Sequence, residues 1–175
     1  MTLDAAVADL APRLLRYCTA RTRDAAAAEE IAQETLTALI RHWHRQGAPS
    51  CPEAFVFAIA RRRAWRVTAA RRLRVPLDLL AGHADEWPNP ETQMLARREC
   101  ERTLREIGRL PRRDREALWL VAAADLPSEQ AAAALGITTT AFRMRLSRAR
   151  QRLSARLGRQ DGQASSANRA VDDTL

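Results

Sequence analysis

Apolar residues recur along this chain with the 3.6-residue period of an amphipathic helix, and no stretch alternates with the period of two that marks a strand. The pattern is sharpest between Leu126 and Leu153. There Phe142, Leu146, Ala149 and Leu153 follow at spacings of four, three and four, one face of a helix, while Thr140, Arg143, Met144, Ser147, Arg148 and Gln151 occupy the other. Pro127 suits a first helical turn, where a missing N–H costs nothing. Glu129 favours the positive end of that helix's dipole. Gly136 can take the left-handed conformation that ends a helix after Leu135, and Thr138 or Thr139 can cap the next one. The stretch reads as two helices around a tight turn, the second with a core face and a basic face.

The same periodicity places the other helices. Residues 4–22 form an alanine- and leucine-rich helix, or two pieces bent at Pro12. Asp24 can cap a second helix reaching about Trp43, with Ala32, Leu36, Leu39, Ile40 and Trp43 as its apolar stripe and Glu29, Glu30, Gln33, Glu34 and Thr37 opposite. His44 to Cys51 is a loop. Pro52 and Glu53 open a third helix to about Arg72, burying Phe55, Val56, Ile59, Ala60 and Val67. Three prolines, a glycine and acidic residues make 73–90 a linker. Helices resume near Glu91, break around Gly108 to Pro111, and run again from Arg112 to Ala124. Residues 158–175, small and polar, read as a disordered tail. Trp43, Trp65 and Trp119 read as core, with Trp65 also able to stack on a base, and Trp87 falls in the linker. The expectation is an all-α chain of two small helical domains, 1–72 and 91–157, joined by a flexible linker.

Charge changes this picture from a bundle to a polyanion binder. The 175 residues carry a formal charge of +8, and all 29 basic residues are arginine, whose guanidinium forks onto phosphate or guanine in a way lysine cannot. A GC-rich genome would produce the same lysine-free bias. The distribution is more telling than the total. Residues 61–75 hold seven arginines and no acid, and 126–160 hold seven against Glu129. Between them, 76–96 hold Asp78, Asp85, Glu86 and Glu91 with no basic residue. Two basic patches about an acidic connector are the electrostatic footprint of a nucleic-acid binder.

Other chemistries find no support in the residues. Cys18, Cys51 and Cys100 have no paired spacing, and His42, His44 and Cys51 lack metal-ligand spacing, so neither a metal nor another cofactor is expected. No nucleophile triad, phosphate loop or carboxylate pair stands out, which argues against an enzyme. Without an apolar amino-terminal stretch or spanning segment, membrane insertion is not expected and a cytoplasmic location is.

LPRRDREALWL followed by LPSEQAAAALGITTTAFRMRLSRARQRL resembles, almost position for position, the fourth domain of bacterial sigma factors of the extracytoplasmic-function class. AEEIAQETLTALIRHW is similar to the acidic Q-E helix of their second domain, and the NPE at Asn89 to Glu91 to the usual entry into the fourth. The resemblance covers about residues 5 to 157. It implies an alternative sigma factor that binds core RNA polymerase, through the β′ clamp helices and β flap, and directs initiation at promoter DNA; an anti-sigma protein is a further implied partner. Arg143, Met144, Ser147 and Arg148 match the family's −35 readers, with Thr139, Thr140 and Arg145 beside them and Arg150 and Arg115 placed for phosphate or helix contacts. Arg61, Arg62, Arg63, Arg66, Arg71 and Arg72, with Arg74, lie where −10 recognition and melting are expected. Glu30, Gln33, Glu34 and Thr37 match the polymerase-binding face.

Three positions depart from the pattern. Arg62 and Arg66 stand where many members carry Asn and Asp or Asn; an amide both donates and accepts, a guanidinium only donates, so an atypical −10 sequence is expected. Asp125 replaces the usual glycine before the helix-turn-helix. Two further readings remain: a helix-turn-helix repressor or activator working without polymerase, which has no use for the first arginine patch and the Q-E helix, and a sigma-like protein-binding adaptor, which Arg62 and Arg66 would suit.

Overall fold

The computed structural model describes the backbone of residues 2–70 and 90–172 and the side chains of 2–69 and 98–158. The described elements are α1 (Leu3–Thr22), α2 (Ala25–Gln46), α3 (Pro52–Ala70), α4 (Pro90–Gly108), α5 (Arg112–Ala122), α6 (Ser128–Leu135) and α7 (Thr139–Asp172), with no strand among the described residues. The expected linker, with Trp87 and the acidic cluster, lies outside them apart from Pro90.

Local chemistry accounts for the boundaries. Thr2 Oγ1 accepts the Ala5 N–H at 3.3 Å to start α1. Pro12 does not divide this helix. The carbonyl that loses its amide partner belongs to Ala8, which is exposed, so water can replace the lost bond. Arg23 leaves α1 in the left-handed conformation (φ 53°), and Asp24 Oδ1 at once caps α2 by accepting the Ala27 N–H at 2.9 Å.

Two bundles result. In the first, α1, α2 and α3 enclose Leu10, Leu14, Ile31, Leu39, Val56 and Phe57, with the Tyr17 and Phe57 rings edge-on at 5.4 Å. Of the α3 residues expected inside, Val56 and Ala60 are buried, whereas Phe55, Ile59 and Val67 are half-buried and Phe57 and Ala64 take the interior. In the second, α5, α6 and α7 enclose Trp119, Leu120, Ala131, Phe142 and Leu146. Arg102 fastens α4 to α7 by donating to the Leu157 carbonyl at 2.7 Å. Burying each large apolar side chain contributes roughly 1.5–3 kcal/mol.

Two expectations are corrected. Trp65 is 43% exposed rather than core. And α7 runs on to Asp172, so residues 158–172, expected to be a disordered tail, are helical. Extending a helix that already exists escapes the nucleation cost that composition alone would impose on an isolated segment.

The bundles dock through α1 on α5 and α3 on α6, and their buried apolar residues form one continuous cluster. Arg13, Tyr17 and Arg21 recur every fourth residue and so share one face of α1. Arg13 donates to the Ala124 and Asp125 carbonyls, both at 3.0 Å. Tyr17 donates its hydroxyl to Glu116 Oε1, and the Arg21 guanidinium lies 3.1 Å from Glu116 Oε2. The Arg21 and Glu116 side chains are only 5% and 6% exposed. Burying two charges is tolerable here because both carboxylate oxygens are engaged.

Two outcomes follow from the seam. Glu116→Ala leaves the Arg21 charge buried and unpaired, which costs about 3 kcal/mol. Small-angle scattering should then give a larger radius of gyration than the parent's; an unchanged radius with an unchanged urea midpoint would show that the pair does not hold the bundles together. The second concerns pH. Burial, with Glu116 adding to it, holds the Tyr17 hydroxyl protonated well above its ordinary 10.0, and burial pushes the Cys18 thiol from 9.0 up to about 12 against the opposing charge of Arg21. Groups whose folded pKa is raised stabilise fully below their unfolded values and lose that contribution as pH climbs toward the folded ones. The urea midpoint should therefore fall between about pH 9 and 12, and Tyr17→Phe should flatten the fall.

Candidate nucleic-acid interface

The α6–α7 pair is built by its turn. Gly136 takes φ 66° and ψ 38°, the left-handed conformation that a side chain would strain. Its N–H bonds the Ala133 carbonyl at 3.1 Å while Ile137 N–H bonds Ala132 at 3.1 Å, which closes α6. Thr138 Oγ1 then caps α7 by accepting the Ala141 N–H at 3.2 Å. Just upstream, Asp125 adopts φ 51°. Aspartate tolerates this region better than most residues, so the usual glycine is dispensable.

With Phe142 and Ala149 fully buried and Leu146 nearly so, the orientation of α7 is fixed. Thr140, Arg143, Met144, Ser147, Arg148 and Gln151 are then all exposed, the apolar Met144 by 61%. Thr139 and Arg145 are half-buried at the edge of this strip, and Arg150 is exposed. Arg143 reaches back to Glu129 of α6 at 2.7 Å, and Arg148 Nε donates weakly to the Met144 carbonyl at 3.4 Å. A protruding helix with two forked cations and smaller groups between them is what the major groove admits.

The first bundle offers a second basic face. Arg62 and Arg66, one turn apart on α3, are both exposed, whereas Arg61 and Arg63 are half-buried on its flanks. Arg63 pairs with Glu34 of α2, so one proposed DNA contact is bound to one proposed polymerase contact. Arg71, Arg72 and Arg74 lie outside the described residues. Glu30, Gln33, Glu34 and Thr37 are exposed together on α2, and Thr37 donates its hydroxyl to the Gln33 carbonyl at 2.8 Å. Trp65 sits beside this surface with the Arg112 guanidinium 4.7 Å from its ring centre, a cation–π contact across the seam. Periodicity could not find this contact, since Arg112 lies in the other bundle. Among the described residues no cluster of His, Cys, Asp or Glu could hold a metal, and no helix is long and apolar enough to cross a membrane.

Residues 6–74 match the family described as Sigma-70 region 2, and residues 100–153 match Sigma-70, region 4. The chain belongs to the sigma-70 family of RNA polymerase sigma factors. It is 32% identical over 141 residues to the RNA polymerase sigma factor CnrH of Cupriavidus metallidurans, spanning 74% of this chain and 72% of that one. To the ECF RNA polymerase sigma factor SigD of Mycobacterium tuberculosis it is 34% identical over 152 residues, 81% and 70% of the two chains. Its fold resembles that of CnrH in complex with the cytosolic domain of CnrY (TM-score 0.62, 24% identity, 89% and 87% covered). It also resembles that of RpoE in complex with the anti-sigma factor NepR from Bartonella quintana (TM-score 0.64, 21% identity, 89% and 96% covered). This sigma factor is accordingly an alternative, extracytoplasmic-function type that directs transcription initiation.

The exposed Arg143–Glu129 pair gives this sigma factor a specific test. An ion pair with both partners in water adds little to stability, roughly 0–1 kcal/mol. Glu129→Gln should leave the urea midpoint within error yet tighten duplex binding a few-fold at low salt, because Arg143 is released and a repulsive charge is removed. Equal affinities for parent and variant across a salt titration would count against α7 as the DNA face.

Proposed function

We propose that residues 91–157 read the −35 element with the exposed strip of α7, while residues 1–72 bind core polymerase and recognise and melt the −10 element, with 73–90 connecting them. The observation that carries this reading is the six-residue strip from Thr140 to Gln151, exposed as a unit because Phe142, Leu146 and Ala149 are held inside. Arg143 and Arg148 fork onto guanines, Met144 and Ser147 touch neighbouring base edges, and Thr139, Thr140 and Arg145 hold flanking phosphates. Arg61, Arg62, Arg63, Arg66, Arg71 and Arg72 form the −10 surface, whose preference for single strands comes from charge joined to a stacking ring such as Trp65. Glu30, Gln33, Glu34 and Thr37 meet the β′ clamp helices, and the second bundle meets the β flap. The protein works in the cytoplasm, performs no catalytic step itself, and is held in check by an anti-sigma protein, a reading supported by its likeness to RpoE, whose structure is in complex with the anti-sigma factor NepR.

Run-off transcription with core polymerase lacking any other sigma factor tests this directly. Specific transcripts are expected with genomic templates; duplex binding without transcripts would instead describe a repressor or activator, and silence in both assays an adaptor. Arg143→Ala and Arg148→Ala should each cost about 1–3 kcal/mol at one −35 base pair and relax preference there. Arg62→Asn should shift the preferred −10 sequence, and an unchanged preference would refute the role given to Arg62.

A further inference from the structure

The exposed strip of α7 holds one side chain with almost nothing to offer a hydrogen bond. Met144 carries a thioether, a weak acceptor and no donor, among arginines that donate and the polar groups of Thr140, Ser147 and Gln151, which donate and accept. Yet it stands far out in water. Among the described residues the exposed large apolar side chains are Leu15 at 37%, Trp65 at 43% and Met144 at 61%. The buried Phe142 and Leu146 are each two residues from Met144, roughly 200° around the helix, so the side that packs α7 on its bundle is not the side that carries Met144. The fold therefore gains little from an apolar residue at this position.

Its neighbours frame it. Arg143, the preceding residue, is drawn toward α6 by Glu129 at 2.7 Å, whereas Arg148, one turn on, folds back with its Nε 3.4 Å from the Met144 carbonyl. Along the helix the thioether thus falls between two guanidiniums. In the major groove a guanidinium suits guanine O6 and N7, but a thioether has one good match, the C5 methyl of thymine, which is the apolar group that the groove displays. Resting on the −35 reading of α7, we propose that Met144 is a specificity-determining residue that reads thymine through its methyl group. A flexible, polarizable side chain closes over a methyl without the fixed geometry that a hydrogen bond demands. Met144 and Arg148 are about 6 Å apart along the helix axis, less than two base steps of about 3.4 Å, so the thymine lies within about two base pairs of the guanine that Arg148 takes.

Deoxyuridine tests this, because it lacks only that methyl and keeps the O4 acceptor of thymidine. The full chain with core polymerase selects a −35 element from a random duplex pool. Each thymine of the enriched duplex is then replaced in turn by deoxyuridine, and affinity is read by competition. At one thymine near a guanine the parent should bind the deoxyuridine duplex about fourfold more weakly, the worth of one methylene-sized group removed from water. Met144→Ala should bind both duplexes alike, and Met144→Leu, apolar but without sulfur, should restore most of the discrimination. Because Met144 is exposed, both variants are expected to fold, and the parent comparison needs no variant at all. The proposal is overturned if no thymine shows methyl dependence in the parent, or if Met144→Ala keeps that dependence. Arg143→Ala and Arg148→Ala on the same duplexes separate this failure from that of the reading beneath it. If they weaken binding while deoxyuridine has no effect, the role of Met144 alone falls; if they have no effect, or no element is enriched, both fall.

Discussion

The buried pairing of Arg21 with Glu116, completed by the Tyr17 hydroxyl, decides how the two bundles meet. An ion pair taken out of water brings a desolvation cost that is offset only by near-complete hydrogen bonding. Here one carboxylate is shared by two donors from successive turns of one helix, and no sliding of α1 along α5 keeps both. Apolar contacts between α3 and α6 supply attraction without register; the carboxylate supplies register. A polar seam also differs from an apolar one in what separation entails, because its charged groups regain water when they part whereas leucines would lose their only favourable surroundings.

What each arginine-rich surface looks like in the docked molecule follows from that register. The basic strip of α7 stands clear of it, its side chains exposed and, among the described residues, its ion pairing limited to Arg143 with Glu129. The α3 surface borders it, with Trp65 carrying Arg112 on its ring and Arg63 tied to Glu34. The two surfaces are thus unequally available, and the inequality resides in side-chain engagement at the seam rather than in charge, since both stretches are similarly rich in arginine.

Features governed by near neighbours were legible in the sequence. Asp24 at the start of α2, Gly136 after α6, Thr138 before α7 and the Phe142–Leu146–Ala149 face all obey rules that span a few residues. Within α3 the same periodicity gave the helix but blurred its inner face, because Phe57 and Ala64 look inward to a surface shared by three neighbours rather than one. Nothing local pairs Arg21 with a carboxylate more than ninety residues away, and nothing local brings Arg112 to Trp65, so Trp65 read as core. The arginine stripe on α1 was visible as a spacing, but its meaning depended on what lay opposite.

Arginine itself shows why charge counting overstated one function and missed another. Arg13 uses three separate nitrogens to hold Asp9 and the carbonyls of Ala124 and Asp125. A lysine ammonium, a point charge on a flexible stem, could not span those three acceptors in a fixed geometry. Asp125 can offer its carbonyl there because its left-handed conformation turns the chain after α5, so the unusual residue before the helix-turn-helix and the arginine stripe on α1 answer to each other. Arg21 and Arg23 serve the seam likewise. The lysine-free composition therefore equips the chain for two tasks with one side chain. Arginines exposed on α3 and α7 present the forks that the proposed DNA contacts require, and arginines spent on carbonyls and a buried carboxylate hold the bundles in register.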